Sequence, residues 1–201
     1  MQMQTNAISK SMARFCIHHS AFIPLPSSFQ KTTIFAGGFA MDATLCQSLH
    51  YLRRDVMAAR DTGRVVIEFT DGAAVEEISQ ARQLADSMIA LVNLPLLGPH
   101  WFAVDRIRAA SILMAILHWD LETFSPRVPE RKAAELTGKI FGHFPDSATF
   151  LTNVRPHADT SLSPHKWASG SELEELDAGV AIVSEKLVGL IWVEDRPYRY
   201  R

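Results

Sequence analysis

The chain has 201 residues, 47% hydrophobic and 21% charged, with 20 basic and 22 acidic side chains for a formal net charge of −2. These are ordinary globular proportions and exclude wholesale disorder, while two cysteines exclude a disulfide-stapled scaffold. The longest apolar run, residues 109–117, is too short to span a bilayer, which needs about 20 residues.

Charge divides the chain. Residues 1–41 contain Lys10, Arg14 and Lys31 but no Asp or Glu, and the first acid is Asp42. The leader therefore holds 3 of the 20 basic residues, leaving 17 against 22 acids, or −5, in residues 42–201. A body of that sign offers no general attraction to nucleic acid or to an anionic membrane. The domain organisation read from this is a basic, acid-free arm over 1–41 and one globular domain over 42–201. The arm reads first as an added β segment or partner-docking segment, with short strands expected at 14–17 and 32–35. A start placed too early before Met41 ranks second and a targeting peptide third. Cys16 and Cys46 read as reduced thiols, which points to a cytoplasmic protein.

The first helix is expected to start at Asp42, a good N-cap residue. Leu45, Leu49, Leu52 and Val56 line its inner face, and Arg53, Arg54, Asp55 and Arg60 fall mostly on the outer one. Gly63 stops it, and the β-branched run 64–69 predicts a strand closed by Asp71 and Gly72. A second helix is expected over 73–92, with Val75, Ile78, Ala85, Met88, Ile89 and Val92 inward. After a proline-containing loop at 94–100, a third helix is expected over 101–123. It is apolar almost all round between Ala109 and Leu117, the pattern of a central, packed helix.

Pro129 and Glu130 suit the first turn of a fourth helix ending near Gly142. Residues 147–154 fit strand or helix equally, and 155–170 read as a long surface loop. Two near-continuous apolar runs, 179–184 and 187–193, predict an antiparallel hairpin buried on both faces. Its intervening Glu185 and Lys186 are a disfavoured two-residue turn. The fold class that follows is α+β: about four helices around a small, mainly antiparallel sheet that includes the C-terminal hairpin.

Chemistry is faint. His143, His157, Asp159 and His165 are imidazole and carboxylate donors that suit Zn or Fe, although their spacing matches no common metal motif. His100 and His118 flank the third helix, and the simplest reading has them bonding nearby backbone. An alternative makes one a general base with Asp105 or Asp120. No phosphate-binding loop or serine-nucleophile motif occurs, and no cofactor is expected. Glu172, Glu174, Glu175 and Asp177 form an acidic patch before the hairpin. Arg196, Tyr198, Arg199, Tyr200 and Arg201 form a basic aromatic tail, too short on cations to carry nucleic-acid affinity alone. Segregated patches of this kind serve steering and specificity between proteins. The function expected is therefore a non-catalytic interaction or regulatory protein: a binder, an immunity- or antitoxin-like protein, or an assembly subunit. A hydrolase with a site in residues 143–165 is the alternative.

Overall fold

A computed structural model describes residues 41–155 and 177–195. The elements are helix α1 (Ala43–Ala59), strand β1 (Arg64–Asp71), helix α2 (Ile78–Leu91), a short 3-10 turn (Gly98–His100) and strand β2 (Phe102–Val104). Helices α3 (Arg106–His118) and α4 (Glu130–Phe141) and strands β3 (Thr149–Thr152), β4 (Asp177–Val183) and β5 (Leu187–Glu194) are the remaining elements of the described residues. The five strands form one sheet in the order β1-β5-β4-β3-β2, and every neighbouring pair is antiparallel. This is the α+β architecture expected, with the C-terminal hairpin at its centre.

Alternation along the strands explains why the hairpin runs look continuously apolar. Val180, Ile182, Ile191 and Val193 join a core beneath α1, α3 and α4. Ala181, Val183, Leu190 and Trp192 join a second core beneath α2. Period-2 side-chain alternation puts consecutive residues on opposite faces, so a sheet covered on both sides needs apolar residues at every position. Glycine relieves two tight spots. A Cβ on Gly179 would lie 2.0 Å from the Trp192 ring, and one on Gly189 would lie 2.8 Å from Phe144.

The unfavourable Glu185 and Lys186 turn is made workable by Ser184. Its backbone N–H donates to the Leu187 carbonyl at 3.0 Å. Its hydroxyl donates to the same carbonyl at 2.8 Å and accepts from the Leu187 N–H at 3.1 Å. A side chain thus does work a favourable turn would leave to the backbone.

Asp42 caps α1 as expected, accepting from the Leu45 N–H at 2.7 Å, and Leu49, Leu52 and Val56 are buried. Two helices are shorter than the sequence suggests. α2 begins at Ile78, not residue 73, because Gln80 closes a capping box with Glu77; Ile78, expected inward, is 40% exposed. α3 runs from Arg106 to His118, not 101 to 123: Asp105 caps it through the Arg108 N–H, and residues 102–104 pair as β2. Trp101 is fully buried against Trp192, and its indole N–H donates to Asp86 at 2.8 Å. That bond belongs to a loop anchor in which Asp86 also accepts from Leu97 and Gly98 N–H groups. Within residues 147–154, Thr149–Thr152 form strand β3.

Candidate functional site

Three features of the described residues stand out: the outer face of α1, a buried charge cluster at one end of the sheet, and a cavity beside His143.

α1 buries its leucine stripe, which turns Gln47, His50, Tyr51, Arg54 and Met57 away from the core. Tyr51 is 46% exposed and Met57 48%. Gln47 donates to the Tyr51 hydroxyl at 3.3 Å, and the Arg54 guanidinium lies 5.1 Å from the Tyr51 ring centroid. These contacts hold a large aromatic ring in place at the surface. Tyr, Arg and Met are residue types enriched where proteins bind one another.

The charge cluster corrects a sequence expectation. Arg60 was placed on the outer face of α1, but its side chain is fully buried. It follows the last helical residue and turns inward to donate to Asp195 at the end of β5 and to the Trp119 carbonyl. Asp195 also accepts from the Leu121 N–H at 2.7 Å, so one carboxylate ties together α1, β5 and the turn after α3. Burial pushes the Asp195 carboxyl above its usual range, against the pull of Arg60. Gly63 makes room for it, since a Cβ there would lie 2.1 Å from Asp195 Oδ1. Beside the pair, Asp120 accepts from Thr123 N–H at 2.7 Å and from Arg127 at 2.8 Å. Burial raises the Asp120 carboxyl, but the Thr123 and Arg127 hydrogen bonds outweigh it and hold the group below its usual range.

This accounts for the histidines flanking α3. His118 Nδ1 bonds the Val128 carbonyl, and Asp120 is engaged with Thr123 and Arg127 instead of an imidazole. His100 is exposed on the 3-10 turn. Among the described residues neither is hydrogen-bonded to Asp105 or Asp120.

His143 follows α4 and is half-buried; burial lowers its pKa, favouring the neutral ring. Its Nε2 lies 3.5 Å from Ser48 Oγ of α1, at the outer limit of hydrogen bonding. It lines a cavity of about 600 Å³ with Val75, Pro145, Thr149, Ser184 and Lys186 among its walls.

Of the residues singled out by sequence for metal binding, His143 alone lies among those described; His157, Asp159 and His165 lie outside them. Glu172, Glu174, Glu175, Arg196, Tyr198, Arg199, Tyr200 and Arg201 also lie outside, as does the arm over residues 1–40. Among the described residues no group of three or more His, Cys, Asp or Glu side chains is placed to hold a metal. No described helix is long and apolar enough to cross a membrane.

Comparison with protein-family models, with curated proteins and with solved structures finds no match. The site therefore has to be read on its own chemistry.

Sequence reasoning missed the α1 face, although a signal was present: Tyr51 and Met57 are large apolar residues off the leucine stripe. It also missed the Arg60–Asp195 pair, whose members are 135 residues apart. No local pattern joins them.

Proposed function

We propose that this chain is a non-catalytic interaction or regulatory protein whose partner is another protein. The observation that supports this reading is the outer face of α1. There Tyr51 is 46% exposed yet braced by Gln47 and Arg54, and Met57 is 48% exposed beside it. A ring held in place in the free protein loses little freedom on binding, so more of its contact energy appears as affinity. The segregated charge of the sequence adds to the reading. The basic arm, the acidic residues Glu172, Glu174 and Glu175, and the tail from Arg196 to Arg201 supply complementary patches that steer encounter and restrict partners. The test is affinity capture from the native host with wild-type protein and with Tyr51→Ala/Arg54→Glu. A stoichiometric partner retained by the first and lost by the second is expected.

A second reading is favoured by one observation, the half-buried His143, whose pKa burial lowers, at a cavity wall near Ser48. It makes the chain a hydrolase with its site in residues 143–165, with Zn or Fe as the metal if one is used. Elemental analysis of purified protein, together with hydrolase assays of His143→Ala and His157→Ala, separates it from the first. Metal at background and unchanged activity in both variants would remove it.

A further inference from the structure

We propose that the cavity beside His143 is a binding site for a small monocarboxylate with a short apolar body. The cavity, about 600 Å³, opens at the end of the sheet where the β4–β5 turn, the segment after α4 and the segment after β1 meet. That volume falls within the range of small-molecule pockets, about 300–1,000 Å³. Its walls divide by chemistry. Val75, Pro145 and Val183 give an apolar side suited to a hydrocarbon body. Thr149 and His143 bring polar groups, and the turn brings one cation, Lys186, and one anion, Glu185.

Lys186 forms no ion pair with another described residue, so its ammonium is available to a ligand carboxylate at the rim. Glu185 beside it sets an upper limit on ligand charge, since a second or third negative charge would be repelled at the same rim. This favours a monocarboxylate over phosphate or a tricarboxylate. The half-buried His143 ring in the wall offers its nitrogens as hydrogen-bonding partners for the ligand. The turn that presents Lys186 is held by Ser184 through Leu187, and Gly72 packs against its backbone. The cation is therefore mounted on a fixed support.

An exposed lysine contributes modestly, so an affinity on the order of 1 mM is expected. The experiment is an NMR titration of the full-length protein with butyrate, with inorganic phosphate and citrate as parallel arms, following the His143 imidazole resonances. Butyrate should give a saturable shift, and phosphate and citrate should give none over the same range. Lys186→Ala should weaken butyrate by up to about 5-fold. Ala74→Trp, an exposed position on the cavity wall, should abolish the shift while the remaining spectrum stays folded. Glu185→Gln should admit citrate. The absence of a saturable butyrate shift up to about 50 mM would overturn the proposal. So would a shift that both Lys186→Ala and Ala74→Trp leave unchanged, or phosphate and citrate binding as well as butyrate does.

Discussion

Replacing Arg60 by leucine removes one partner from a pair whose side chains are 0% and 3% exposed. The Asp195 carboxylate then stays buried with the Leu121 N–H and no cation. Breaking a buried pair in this way costs about 3–5 kcal/mol, because the remaining charge is uncompensated. A domain of this size has a total stability of roughly 5–15 kcal/mol, so the variant should sit near the edge of folding at 25 °C. Asp195→Asn should cost a similar amount, about 3–5 kcal/mol, since it keeps the side-chain volume but leaves the fully buried Arg60 guanidinium without its counter-charge. Replacing both, as Arg60→Met/Asp195→Leu, should recover most of the loss, because apolar side chains need no solvation to be replaced. Urea unfolding of the four proteins, fitted with a common m value, compares the three costs directly. An Arg60→Leu cost below about 1 kcal/mol, the range of exposed pairs, would refute the buried-pair account.

Four further outcomes follow from the same geometry. Asp195 is raised above its unfolded value of 3.8, so the native state holds that proton more tightly than the unfolded chain. Its contribution to stability is present in full below pH 3.8 and is lost as pH rises through the raised folded value. The stability of wild type relative to Asp195→Asn should therefore fall from pH 4 toward neutrality, and a rise would contradict the burial argument. His143 has the opposite sign for its type: its NMR titration midpoint should lie below 6.5, and a midpoint at or above that value would place it in solvent. Leu117→Ala should cost about 2–5 kcal/mol in thermal or urea unfolding, and Met114→Ala less, because Leu117 is fully buried and Met114 only partly. Gly179→Ala should destabilise by about 1–3 kcal/mol and alter the near-ultraviolet signal of Trp192, whose ring must move from the new methyl group.

The legible parts of the fold are those where one local rule decides the outcome. The α1 leucine stripe behind the Asp42 cap is one, and the paired apolar runs of β4 and β5 are another. The errors fall where two rules compete. Trp101 continues the apolar character of α3, yet its indole N–H bonds the partly buried Asp86, and the chain beyond it is extended as β2. Arg60 has the composition of an outer-face residue, but as the first residue after α1 its long side chain can turn beneath the helix end toward Asp195. Partners separated by 135 residues leave no trace in a local window. For the site, the off-stripe Tyr51 and Met57 were readable as exposed apolar residues. The Ser48–His143 approach depends on α1 and α4 packing together, which periodicity alone does not specify.

The most direct test of the interaction reading is quantitative affinity capture from the native host. It compares wild type with Tyr51→Ala/Arg54→Glu after circular dichroism has shown the two equally folded. Wild type should retain one protein at a fixed ratio, and the α1 variant should lose it. Recovery of the same proteins by both forms, or of no stoichiometric protein by wild type, would contradict the account.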